Sequence, residues 1–239
     1  QKLGNAPHPT ISLRCSPYFQ STPFYPIVEW LETIIGFKRE DTPAERIAKL
    51  GRLEILLRRF RIPQVETIPL LASLLALADE DGPRGMSPQR QRRMTVDTLV
   101  MIVQALAHER TLFFVVEDLH WADPSTLDVL SGVIQRLDTI QVAMLMTCRP
   151  TFNPTWQTNE RLRQIQLGRL KREEVERIVS SLTEGRRLPD VVLEKIIERT
   201  DGIPLYVEEL TRMVLESELL TPAGDRFEMT GPLPTFAIP

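Results

Sequence analysis

The sequence predicts an α/β protein, a parallel sheet with a helical insertion followed by an all-helical region. Three observations carry that prediction. First, Leu112-Phe-Phe-Val-Val116 is apolar without a break, and Glu117, Asp118 and the helix start Asp123-Pro124 follow it. An unbroken run of this kind suits a strand buried on both faces of a parallel sheet. Carboxylates at its C-terminal end stand where open α/β sheets bind ligands. Second, strand-like and helix-like patterns alternate as far as about residue 168. Third, from Lys171 onward the apolar residues recur with helical spacing only.

Taken in order, Thr10–Cys15 alternates apolar and polar residues and reads as a first strand. A Pro- and hydroxyl-rich loop leads into a helix from about Phe24 to Ile35, with Ile27, Leu31, Ile34 and Ile35 on one face and Gly36 to stop it. Thr42-Pro43 starts a second helix with Leu50, Leu53, Leu57 and Phe60 as its apolar stripe. Arg58, Arg59 and Arg61 fall at its end, where cations favour the helix dipole. Val65–Ala78 reads as a third helix, broken near its start by Pro69, and Asp79–Gly85 as a turn-rich loop. Ser87-Pro88 caps a long helix to about Glu109 that turns Val96, Leu99, Val100, Val103 and Leu106 inward.

The apolar strand follows, then a helix from Pro124 to about Leu137. Ile140–Thr147 reads as a second buried strand and Arg163–Leu167 as a short final one. The later helices are Lys171–Leu182, Asp190–Arg199 ended by Gly202, and one from Pro204 to about Glu218. These readings divide the chain into a core at 1–168 with a helical insertion at about 24–109, a helical domain at 169–220, and a Pro-, Gly- and Thr-rich linker at 221–239.

Composition narrows the classes of function. A net charge of −3 and a pI near 5.8 imply no global attraction to nucleic acid or anionic membranes. Arg90, Arg92 and Arg93 crowd the first turns of one helix, but no aromatic residues interleave them, so a solvated face or a domain contact is expected rather than nucleic acid. The two cysteines, Cys15 and Cys148, lack metal-ligand spacing and read as reduced, the pattern of a cytoplasmic protein. No apolar run approaches the roughly 20 residues of a membrane span, and no signal peptide is evident. The chain opens at Gln1, already inside a folded pattern, and reads as a piece of a longer protein.

Chemistry concentrates after the apolar strand. Phosphoryl transfer needs a metal to bridge phosphates and a group to position the attacking water. By register, Glu117 is the candidate Mg²⁺ ligand and Asp118 the group that orients or activates the nucleophile. The competing reading is that both acids cap the next helix or pair with arginines. Thr147 and Arg149, at the end of the neighbouring strand, could contact a γ-phosphate or hold the water, or form a strand-end ion pair. Asp123 is read as the N-cap of the helix at Pro124, and Trp121 as a packing residue.

Val115-Val-Glu-Asp-Leu-His-Trp-Ala-Asp-Pro-Ser-Thr126 resembles the Walker B region of the signal-transduction (STAND) type of AAA-like P-loop ATPases. These occur beside class III adenylate/guanylate cyclase domains, Ser/Thr kinase domains and DNA-binding transcriptional regulators. Further stretches resemble the family in the right order: Arg14–Tyr18 with Phe24–Ile27, Ser87–Arg90, the sensor strand Met144–Arg149, and the Gly-x-Pro motif of the lid at Gly202–Leu205.

The resemblance implies Mg²⁺ on Glu117, catalysis by Asp118, γ-phosphate sensing by Thr147 and Arg149, and nucleotide contact by Gly202 and Pro204. It implies ATP and ADP as ligands, an output domain in the same polypeptide as partner, and nucleotide-dependent self-association as a further one. The family's P-loop, G-x-x-x-x-G-K-[ST], cradles phosphates with backbone N–H groups and a lysine, but this sequence contains no Gly-Lys pair. The expectation is therefore an ASCE-type core whose P-loop and the central strand before it lie outside the chain, so that the segment alone binds ATP poorly. Two alternatives stay open: a non-enzymatic interaction module, and a DNA-linked ATPase of the origin-recognition type.

Overall fold

The computed structural model describes residues 8–77, 86–154, 156, 159–217 and 219–231. The loop expected at 79–85 and the end of the expected linker, 232–239, lie outside the described residues. The chain divides into two compact units, 1–163 and 164–239.

The first unit is an α/β layer structure. Strands β1 (Thr10–Arg14), β2 (Leu112–Glu117) and β3 (Val142–Met146) form a parallel sheet in the order β1-β2-β3. Between β1 and β2 run helices α1 (Tyr25–Ile35), α2 (Pro43–Arg59), α3 (Gln64–Leu74) and α4 (Pro88–Glu109). Helix α5 (Pro124–Ile134) joins β2 to β3.

Local signals explain where most helices begin and end. Gly36 closes α1 at φ 79°, where a residue with a Cβ would be strained. Thr42 and Glu45 form a reciprocal capping box on α2. Hydrogen bonds from the Thr42 backbone and hydroxyl hold the Glu45 carboxyl below its ordinary range. Ser87 caps α4, as its sequence predicts. Helix α3 starts at Gln64 and passes through Pro69 without ending there, because Pro69 falls in the second turn and the chain continues as helix to Leu74. Ile34, expected to face inward, is exposed, since the inward stripe of α1 is Ile27, Leu31 and Ile35. Helix α5 ends at Ile134 and the chain continues in turns to Thr139, three residues short of the expected Leu137.

Register fixes which side chains share a sheet face. Ile11, Leu13, Phe114 and Val116 lie on one face and are at most 1% exposed. Met144 and Met146 extend this face and pack against the same core as α1, α4 and α5. The other face carries Thr10, Ser12, Phe113, Val115, Ala143 and Leu145, and Leu145 is 61% exposed. Two expectations are corrected here. Strand β2 is buried fully on one face only, with Phe113 and Val115 half-buried, and β3 is an edge strand rather than a buried one. An apolar run states that a strand tolerates burial, but a neighbour must be present to bury it.

The second unit holds α6 (Arg172–Leu182), α7 (Asp190–Thr200) and α8 (Pro204–Glu216) around Val175, Val179, Val192, Ile196, Val207, Leu210 and Val214. Arg172 binds Glu176 on its own helix and Glu194 on α7. Residues 163–167, expected as a strand, have no regular structure, and Ile165 and Leu167 are 82% and 90% exposed. A five-residue strand needs a ladder partner, and among the described residues this one has none. The stretch read as the start of a linker instead forms a hairpin, β4 (Leu220–Ala223) against β5 (Arg226–Met229), turning at Gly224. Buried Leu220 and half-buried Phe227 join the helical core, and Phe227 N–H donates to the Arg187 carbonyl. Among the described residues, no helix is long and apolar enough to cross a membrane.

Candidate functional site

The C-terminal ends of β2 and β3 bring four of the sequence-predicted residues together. The β2 ladder ends at Glu117, whose carbonyl still accepts the Cys15 N–H at 3.0 Å. The next residue, Asp118, takes the left-handed conformation at φ 56° and ψ 39°, which Asp tolerates better than most residues with a Cβ. That turn aims the Asp118 N–H at the Thr147 side chain, whose Oγ1 accepts it at 3.0 Å. Thr147 also donates its own N–H to the Val116 carbonyl at 2.9 Å and accepts the Leu119 N–H on its carbonyl at 2.8 Å. Three bonds from one residue clasp the two strand ends where the sheet stops.

Glu117 is exposed and Asp118 half-buried. Neither carboxylate has a hydrogen bond or ion pair with another described residue, so the competing reading as helix caps or arginine partners is not what the geometry provides. Mg²⁺ prefers one or two carboxylates completed by waters and phosphate oxygens at about 2.0–2.1 Å. Two adjacent unpaired acids could hold it in that way. No group of three or more His, Cys, Asp or Glu among the described residues forms an all-protein metal site.

Arg149 is exposed two residues beyond Thr147, and its guanidinium carbon lies 5.3 Å from the centre of the Trp121 ring. Trp121 belongs to the short 3-10 turn Leu119–Trp121 that follows Asp118. The His120 ring sits 4.4 Å from that of Trp121, and both its nitrogens are buried without a hydrogen-bond partner among the described residues.

Asp123 behaves as the N-cap its sequence predicts, and does more. Asp123 is 1% exposed, and its Oδ1 accepts the N–H groups of Ser125 and Thr126 at 2.9 and 3.0 Å. Oδ1 also accepts the Phe24 N–H at 2.9 Å, and Oδ2 accepts the Thr126 hydroxyl. Phe24, at φ 60°, is the residue before α1, so one carboxylate ties the starts of α1 and α5 together. A partner 99 positions away leaves no local trace in the sequence. Cys15 lies buried near this carboxylate. Burial pushes its thiol up to about 12, and the charges of Asp123 and Asp118 add to that rise.

Gly202 and Pro204 belong to the second unit, where both have structural duties. Gly202 has φ 65°, and a Cβ there would stand 2.4 Å from the Leu170 carbonyl oxygen, so glycine is required on both counts. Its own carbonyl accepts the Leu170 N–H at 2.8 Å. Pro204 is exposed at the first position of α8, where its missing N–H costs nothing. One cleft is lined by Glu209, Arg212 and Met213 of α8 and another, of about 260 Å³, by Phe24, Leu74 and Arg92; neither is lined by Glu117 or Asp118. Arg92 is paired with Asp128, which leaves that part of the basic helix face locally neutralised.

No protein-family profile matches the chain. An uncharacterized protein of Rhizobium meliloti (strain 1021) is 23% identical over 134 residues, 54% of this chain. The match spans 13% of that protein's length. No solved structure matches.

Proposed function

We propose that the chain carries the acidic and sensor half of an ATP-hydrolysing regulatory switch in a multidomain signalling protein. The observation that carries this reading is the Thr147 clasp. It sets the unpaired acids Glu117 and Asp118 beside Thr147 and Arg149 at one end of a parallel sheet. That is where phosphates and a metal dock in open α/β proteins. Glu117 would hold Mg²⁺, Asp118 would orient the attacking water, and Thr147 and Arg149 would meet the γ-phosphate. The helices α6–α8, with Gly202 and Pro204 at the α7–α8 turn, would form the lid that reports the nucleotide state to an output domain. The resemblance in motif order supports these roles.

The test is ATP turnover by the full-length protein, with D118N and E117Q compared against the parent. Loss of about a hundredfold or more in kcat with unchanged circular dichroism supports the assignment, since a positioned acid or base contributes on that scale. A full-length parent that hydrolyses no ATP sinks the enzymatic part and leaves an interaction module.

A further inference from the structure

We propose that Trp121 is a positioning residue for Arg149. Its ring holds the guanidinium at the strand ends and competes for it with an arriving anionic ligand. The proposal rests on the preceding reading of the acids and sensor residues as a phosphate site.

Two links cross the gap between the ends of β2 and β3. One is the Thr147 clasp, made through the backbone of Asp118 and Leu119. The other is Arg149 on Trp121, made through side chains alone. The two residues after β3 that make these links, the acceptor Thr147 and the cation Arg149, are separated only by Cys148, so they sit on one short stretch leaving β3. On the other side, Asp118 and Trp121 bracket a single 3-10 turn, closed by the Trp121 N–H donating to the Asp118 carbonyl at 2.9 Å. The ring position is therefore tied through the backbone to the acid and to Thr147.

The guanidinium makes no ion pair among the described residues, so the ring face is what the structure gives it. At 5.3 Å the pair lies within the roughly 6 Å over which a ring face attracts a cation. An exposed pair of this type is weak, which suits a contact that must be given up. A phosphate oxygen offers the same guanidinium charge-assisted hydrogen bonds, which are stronger. His120 lies against Trp121, and with both nitrogens unpartnered it ties the ring through packing rather than through hydrogen bonds. The turn is thus held by its backbone and by the packing of Leu119 and Trp121 against the core, and the exposed Arg149 is the side chain an anion can draw away. Arriving phosphate would draw Arg149 off the ring and change the environment of the indole.

The experiment uses the full-length protein carrying W30F and W156F, so that within this segment only Trp121 emits, with MgATP as probe. ATP binding is measured separately by calorimetry. Nucleotide should shift the Trp121 emission, and R149Q should already show the shifted emission without ligand. W121L should tighten MgATP by about two- to fivefold, the range an exposed cation–π contact supplies, while W121F retains a ring and stays near the parent. Binding with unmoved emission, or an affinity unchanged or weakened in W121L, overturns the proposal while leaving the nucleotide site intact. Absence of any MgATP binding to the parent overturns the site and the competition together. Emission in the ligand-free state that ignores R149Q overturns the pair whether or not nucleotide binds.

Discussion

The two faces of the three-stranded sheet carry similar residues and meet opposite fates. Phe114 and Val116 on one face are buried to 1% or less, while Phe113 and Val115 on the other are half-buried and Leu145 beside them stands 61% exposed. Nothing in the side chains themselves accounts for this. The difference lies in what is stacked on each face. Helices α1, α4 and α5 join the buried face in one core, and the described residues leave the other open. Hydrophobicity in a strand is thus a permission, and burial is a property of neighbours.

The largest effect that would sharpen the contrast is the pair F114A and L145S. F114A should cost about 3–5 kcal/mol, the range for emptying a buried aromatic site, and L145S should stay within about 0.5 kcal/mol. Urea unfolding of both variants measures this. A costly L145S would show that the second face is covered in solution.

Next come the turns that leave the strands. D123A removes a buried acceptor from three backbone N–H groups and should cost about 2–4 kcal/mol, whereas T147V removes one exposed hydroxyl contact and should cost about 1 kcal/mol. Equal costs would mean that the Phe24 link contributes little.

The smallest effect is chemical. Cys15, on the buried face with its thiol pushed up to about 12, stays protonated through neutral pH, while Cys148 after the edge strand is exposed. Iodoacetamide at pH 8 should alkylate Cys148 and spare Cys15 until denaturant is added, as read by peptide mass spectrometry. Burial acts on Cys15 twice, blocking the reagent and lowering the thiolate fraction at pH 8, so both effects favour Cys148. Equal labelling of both in the folded protein would contradict the burial of β1.

Local chemistry made much of the fold legible. The Thr42-Pro43 box, the Ser87-Pro88 cap, Gly36 and Asp123-Pro124 each set a helix end within a few residues, because their mechanism lies inside a span of four positions. What stayed hidden depended on distant partners. Residues 163–167 have strand-like alternation but no ladder, and the hairpin at 220–229 depends on a turn at Gly224 and on a core that receives Leu220 and Phe227. At the site, Glu117, Asp118, Thr147 and Arg149 were legible as candidates from strand register. The left-handed Asp118, the Thr147 clasp and the Arg149–Trp121 contact were not, since each is decided by where one strand end falls beside the other.

The register of β1 on β2 has a consequence for the chain as a polymer. Thr10 pairs with Phe113, while Leu112 pairs with Val142, so the first pairing closes a loop of about a hundred residues and the second one of about thirty. Closure entropy grows only with the logarithm of loop length, so the longer closure costs about 1 kcal/mol more than the shorter. The four helices between β1 and β2 thus add little to the entropy of joining those strands. Their connections, rather than the helices that build the core, are where added length would leave the β1–β2 register, and the acids after β2, in place.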